Sequence, residues 1–328
     1  MKNSIITLTI FSLLLLAFPA YASDVVLPNR VIDTRTMTII DFEGLVYRCS
    51  NADIVTFGEN HDDPATHAME LAVMQGIYRY NGSVVLTMEM FERDVQDILN
   101  SYLAGEIDET TFLETSRPWG NYDTDYRPMI EFAKEIGEPV IAANCPRDLA
   151  HKASVEGYFD ADWTDEELDW IASTYEAPRD AYWEKFFEVM SGPAQHGDAT
   201  DEDSIYSFYQ AQCLKDETMA ESITRASIEY EDSVIYHVNG NFHTGDYLGT
   251  FSRVKRNMPS ADAVSIIAIP VEDLINPDLT DYPMADYWII VLAPEPEPEE
   301  EEPEENPGAD RFRGMINQET ESGSDSDE

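Results

Sequence analysis

Two stretches of the chain end an apolar run on glycine and carry a histidine three residues later: Gly58-Glu59-Asn60-His61 and Gly240-Asn241-Phe242-His243. A glycine at a strand end permits a sharp turn that swings the third residue back over the sheet edge, so this spacing predicts two imidazoles facing each other. With Glu59 and Glu89 nearby, they make an N/O set suited to a divalent ion of the Mn, Zn or Fe type, in which Glu59 or Glu89 is ligand or general base. For either motif alone the simpler roles are a turn or a cap: Glu59 or Asp62 at the next helix N-terminus, and His61 closing a polar network. Both motifs together favour function. His67, near the start of the following helix, is a candidate extra ligand or hydrogen-bond support, and equally a surface histidine. Asn144 and Arg147 end a third apolar run and join the same rim. His151, His196 and His237 have no partner that the sequence identifies.

These residues need a scaffold that brings strand ends together. Short apolar runs at 53–58, 83–89, 139–144, 233–240, 264–269 and 287–292 alternate with segments of helical period at 66–80, 92–103, 127–136 and 147–157. This is the pattern of an α/β fold with a mostly parallel central sheet flanked by helices. In such sheets ligands bind beyond the carboxyl ends of the strands, where the glycines, histidines and glutamates fall. The stretch from about 158 to 232 is too long for one crossover and carries amphipathic segments at 165–175, 179–190 and 202–230, so it is read as a helical insertion or cap. Its expected internal break is the Gly-Pro stretch at 192–198.

Composition narrows the function classes. The 328 residues hold 65 Asp+Glu against 20 Lys+Arg, a formal net charge of −45. Nucleic-acid binding needs clustered cations and is excluded. The nucleophile-elbow, Walker and dinucleotide-binding glycine patterns are absent, which argues against serine hydrolysis and phosphoryl transfer. Three scattered cysteines, Cys49, Cys145 and Cys213, allow at most one disulfide, with the pairing left open.

The termini are read separately. Residues 1–22 resemble a secretory signal peptide: Lys2, an apolar run, then Ala20-Tyr21-Ala22 as the cleavage site, with no cysteine after it for a lipid anchor. The expectation is a protein exported across the inner membrane, periplasmic or extracellular, without a stable membrane anchor after cleavage. Residues 293–328 carry 14 acidic and 2 basic residues and many prolines, and are read as a disordered acidic tail. The α/β domain then spans 23–292.

The stretches ADIVTFGENHDDPATH (52–67), LTMEMFERDVQ (86–96), YRPMIEFAKEIGEPVIAANCPRDL (126–149), QCLKDETMAESI (212–223) and VNGNFHTGDYLGT (238–250) resemble the ChaN-type haem-binding uptake family of the Tiki/erythromycin-esterase superfamily. The resemblance implies an α/β sheet with a helical cap, and haem as cofactor and partner, with subunits self-associating around a haem pair through tyrosine ligation. It also implies kinship with metal-dependent hydrolases of amides or esters, and Glu59, His61, Glu89 and His243 fall on that superfamily's polar positions. The haem tyrosine lies outside the matched motifs; Tyr175, Tyr182 and Tyr209 are candidates because they lie in the cap. The leading expectation is a haem-binding accessory of iron acquisition, and the alternative is a metal-dependent hydrolase.

Overall fold

The computed structural model describes residues 29–192, 201–280 and 282–294; the expected signal peptide, the acidic tail from 295 onward and the expected break from 193 lie outside the described residues. Eight strands form one sheet: β1 (Asn29–Asp33), β2 (Thr38–Ile40), β3 (Ile54–Glu59), β4 (Val84–Glu92), β5 (Val140–Asn144), β6 (Val234–Gly240), β7 (Ala263–Val271) and β8 (Tyr287–Leu292). Their order is β2-β1-β8-β7-β3-β6-β4-β5. The six strands from β8 to β5 are mutually parallel, and β1 is antiparallel to both its neighbours. The fold is α/β, a mostly parallel sheet flanked by helices and carrying a helical cap.

All six expected strands are present, because strands covered on both faces read as apolar runs. The β1–β2 hairpin lies outside that expectation. Only Val31 and Ile32 of β1 are buried, and β2 has three residues, so neither leaves a hydrophobic pattern. One strand end also differs: β4 does not stop at Glu89 but runs to Glu92, past a register shift between Met88 and Glu92. A bulge of this kind re-aims side chains where pairing ends.

Helices cover both faces. On one side, Phe42–Cys49, Pro64–Asn81, Gln96–Leu103 and Arg127–Ile136 pack on a core that includes Phe57, Leu86, Val238, Ile266 and Ile289. On the other, the C-terminal half of Glu202–Glu229 presents Ala220, Ile223 and Ala226 to Ile54, Val85 and Ile235. That helix therefore supplies the crossover from β5 to β6, while its N-terminal half joins a second apolar cluster with Tyr182, Trp183, Phe186 and Leu149. The expected helix at 165–175 ends at Trp170, because Ile171 is extended. Helices at Phe42–Cys49, Glu109–Ser116 and Gly249–Asn257 add to those expected from the sequence.

The strand order fixes the site. β6 lies between β3 and β4, with Glu59 paired to Gly240, so the ends of three central strands meet side by side.

Candidate functional site

At the end of β3 the Glu59 side chain is fully buried and ionised by its partners. Its Oε1 lies 2.5 Å from His61 Nδ1 and accepts a 2.9 Å hydrogen bond from the Tyr126 hydroxyl. Burial pushes its pKa up, but the bond from His61 and the neighbouring His67 outweigh burial and hold it well below the usual carboxylate range. His61 is raised in turn: burial opposes the charged ring, while Glu59 and the nearby Glu89 favour it. Its side chain is 43% exposed and stands edge-on to Trp119, ring centres 5.0 Å apart.

The glycines in the two motifs act by close approach. Neither Gly58 nor Gly240 has a left-handed backbone; Gly240 sits at φ −60°. A Cβ on Gly240 would meet His61 Nε2 at 2.8 Å and Cε1 at 2.9 Å, and one on Gly58 would meet Asn241 Oδ1 at 2.6 Å. Each glycine thus makes room for a residue of the other motif. This corrects the reading that the glycines serve to sharpen a turn.

Beside this pair, the Gly240 amide donates to Glu89 Oε2 at 2.8 Å, and Glu89 Oε1 lies 3.3 Å from His243 Nε2. The other ring nitrogen, His243 Nδ1, lies 2.7 Å from Asp216 Oδ1. Asp216 also accepts from Tyr182 (2.7 Å) and Thr250 (2.8 Å). Burial disfavours a charged His243, but Glu89 and Asp216 prevail and push its pKa up to about 10. Both rim histidines are therefore held at Nδ1 by a carboxylate, an arrangement that fixes ring orientation and the direction of Nε2. Asn144 braces the strand by donating to the Glu89 carbonyl at 3.1 Å. Arg147 is exposed, and only its backbone amide is engaged, by Glu92 at 3.0 Å.

A third group lies behind His61. His67 Nδ1 is 3.0 Å from Glu70 Oε2 and 3.3 Å from Glu59 Oε2, and its Nε2 lies 3.0 Å from the His61 carbonyl oxygen. Burial opposes a charged His67, yet Glu59 and Glu70 push it up to about 11. Glu70 is raised well above the carboxylate range by burial and by the charge on Glu59. Sequence reasoning named His67 but missed Glu70, Asp125, Tyr126 and Asp216. The His67–Glu70 spacing of three on a helix was a visible signal; the others come from distant segments. The next helix is capped by Asp63, which accepts from the Ala65 amide at 3.0 Å, and not by Glu59 or Asp62.

Two clefts open on the rim. One, of about 620 Å³, includes Glu59, His61, Gly240, Phe242 and His243. The other, of about 710 Å³, includes His61, Met90, Arg117, Trp119 and Arg147, with Arg117 already paired to Glu92 and Asp94 at 2.7 Å. Tyr175, Tyr182 and Tyr209 line neither cleft; all three are buried in the cap, their hydroxyls bonded to the Gln210 carbonyl, Asp216 and the Pro178 carbonyl. The three cysteines are free and buried.

Comparison with known proteins agrees with this architecture. Residues 45–254 match the family model described as haem-binding uptake, Tiki superfamily, ChaN. The fold is similar to that of a solved structure described as cofacial heme binding to ChaN of Campylobacter jejuni, at 16% identity and a TM-score of 0.58, covering 80% of this chain and 96% of that one. The type III effector HopBA1 (10% identity, TM-score 0.45, covering 76% of this chain and 92% of that one) is more distant. So is a mutant of the erythromycin esterase EreC in its open conformation (12%, 0.44, 81% and 83%). No curated protein matches the sequence.

The close approach at Gly240 yields a direct test. Alanine suits the backbone there, so its only conflict is with the His61 ring, and Gly240→Ala is expected to push that ring off Glu59. The His61 pKa, followed by NMR titration of the imidazole, then falls towards the unperturbed value of about 6.5. An unchanged titration would show that the ring does not depend on this contact.

Proposed function

The chain belongs to the ChaN haem-binding uptake family of the Tiki superfamily, and on that premise we propose that it is a haem-binding accessory protein of iron acquisition in the cell envelope. The reading is supported by an aromatic platform on the cap. Phe159 is 81% exposed and Val155 70%, and the Phe159 ring lies 5.7 Å from Tyr175 and 5.2 Å from Tyr158. Tyr158 and Tyr175 stack at 4.3 Å. Phe159, with Val155, offers an exposed apolar contact that suits a porphyrin, and it stands edge-on to the stacked pair of Tyr158 and the buried Tyr175.

Of the cap tyrosines, Tyr175 gives up least on ligating iron. Its hydroxyl makes one 3.2 Å bond to the Gln210 carbonyl, whereas Tyr182 holds the buried Asp216 at 2.7 Å and Tyr209 the Pro178 carbonyl at 2.9 Å. Haem, when bound, supplies an iron that accepts the phenolic oxygen. The Campylobacter jejuni protein is described as binding haem cofacially; by the same premise two copies of this chain associate with their platforms facing around a haem pair. The chain is read as exported, cleaved after Ala22, and periplasmic or extracellular. No helix among the described residues is long and apolar enough to cross a membrane.

One observation favours a second reading, a metal-dependent hydrolase of an amide or ester. His61 and His243, each gripped at Nδ1 by a carboxylate, flank Glu89 on adjacent strand ends. Two imidazole nitrogens with carboxylate oxygens are donor types that suit Zn or Mn, brought to one rim though not all within 4.8 Å of one another. A divalent ion there would polarise a carbonyl and lower the pKa of a bound water. Glu59 and Glu89 are the carboxylates positioned to orient or accept a proton.

Three measurements test these readings. Haem titration is expected to give a Soret shift and a dimer by light scattering; Tyr175→Phe and the surface change Phe159→Ser each weaken binding at least tenfold, and a wild-type protein without a Soret shift overturns the reading. Mass spectrometry of the protein from its native host is expected to find Ser23 as the N-terminus, and an intact Met1 or a lipidated terminus would refute export in this form. For the second reading, ester and amide substrates supplied with Zn²⁺ or Mn²⁺ should be hydrolysed by the wild type, with turnover lost in His61→Ala and haem binding unchanged; turnover that survives in His61→Ala removes the rim as its source.

A further inference from the structure

We propose that Glu59, His67 and Glu70 form a buried binding site for one divalent transition-metal ion, distinct from the rim pair His61 and His243 and independent of haem. The three residues offer ligand atoms that all lie within 4.8 Å of one another. His67 Nδ1 stands 3.0 Å from Glu70 Oε2 and 3.3 Å from Glu59 Oε2. Neighbouring donors around an ion with bonds of about 2.0–2.2 Å are spaced about 3 Å apart, so these separations are those of adjacent ligands.

Hydrogen bonding decides which nitrogen of His67 faces the ion. Nε2 lies 3.0 Å from the His61 carbonyl, which only accepts, so the proton of the neutral ring sits on Nε2. In that neutral ring Nδ1 has a lone pair directed at two carboxylates; in the charged ring that these carboxylates favour, Nδ1 holds a proton instead. Three electron-rich atoms converge there, and a cation must lie between them: a proton or a metal ion.

Two further oxygens weigh against a proton alone. Glu59 Oε2 and Glu70 Oε1 are buried and have no hydrogen-bond partner, and the 3.3 Å contact from His67 to Glu59 Oε2 lacks hydrogen-bond alignment. The two carboxylate side chains are fully buried and that of His67 is 3% exposed. Among the described residues neither glutamate is paired with a lysine or arginine. Without an ion, Glu70 has to hold a proton of its own against Glu59, beside the one on His67 Nδ1, to keep these oxygens from being desolvated and unpaired. A divalent ion satisfies both and neutralises their charge.

The surroundings are those of a metal ligand. Ligating imidazoles donate their second N–H to a carbonyl or carboxylate; here Nε2 faces the His61 carbonyl, with Asp125 Oδ2 at 3.5 Å, and Asn121 Nδ2 donates to both of those acceptors at 2.9 and 2.7 Å. One imidazole nitrogen with two carboxylates suits Zn, Mn or Fe rather than an all-oxygen ion such as Ca²⁺. Such an ion would lock Glu59 from behind while its Oε1 holds His61 in front.

The test uses full-length protein stripped with chelator, reloaded with Zn²⁺ or Mn²⁺ alone, desalted, and examined by elemental analysis and thermal melting. The wild type is expected to retain an ion at this site and to melt several degrees higher when loaded. Glu70→Gln, which mimics a protonated Glu70, is expected to lose one ion per chain and the metal-dependent shift, while His61→Ala keeps both. No retained ion in the wild type, with Glu70→Gln as stable as the wild type, overturns the proposal in favour of a shared proton. So does an ion that survives Glu70→Gln and is lost from His61→Ala or His243→Ala, since it then belongs to the rim. Anomalous diffraction from Zn²⁺-loaded wild-type crystals answers without a variant: a peak beside His67 Nδ1 supports the site, and its absence there overturns it.

Discussion

The carboxylate of Glu59 is the constraint on which the rest of the site depends. A carboxylate buried at the end of a central strand is tolerated only if its oxygens are matched by donors or cations, because the surrounding core offers no water to do so. Four segments are bent to that purpose. The turn after β3 brings His61 to Oε1, the π-helical turn Tyr122–Tyr126 brings the Tyr126 hydroxyl, and the helix Pro64–Asn81 brings His67 and Glu70 to the other side. The fourth is the end of β6, where Gly240 omits a side chain so that the His61 ring fits.

A second buried carboxylate, Asp216, plays the corresponding part for the cap. It lies on the long helix that is both crossover and cap, and it accepts from Tyr182 of the cap, Thr250 of the following helix and His243 of the rim. The position of the cap and the orientation of His243 are thus set by one hydrogen-bonded group. Arg253, 4.0 Å from Asp216 and 3.1 Å from Glu217, supplies the nearby positive charge. In contrast, the Glu59 group relies on histidine and a hydroxyl, so its charge balance depends on protons or bound cations.

The outer surface works with this interior. The sequence's net charge of −45 attracts cations and repels anions at long range. Under the proposed haem-binding reading, the propionates meet that repulsion, and capture would rest on short-range apolar contact and ligation. The exposed Phe159 and Val155 would supply such contact, because apolar attraction does not depend on the field.

How much of this was legible beforehand varies by element. The six buried strands were, since burial on both faces demands continuous apolar runs; the β1–β2 hairpin was not, having two buried residues in β1. The paired Gly-x-x-His motifs were visible, but their reason was not, since a glycine needed for φ and one needed for close packing look alike in a sequence. By itself the sequence determined the α/β class, the acidic character and which strand ends carry histidine and glutamate. Only the tertiary structure decided the partners: Glu59 with Tyr126 across 67 positions, Glu89 with Gly240 across 151, His243 with Asp216 on the cap helix. These contacts follow from β6 lying between β3 and β4, an order set by packing of the whole sheet and encoded in no local pattern.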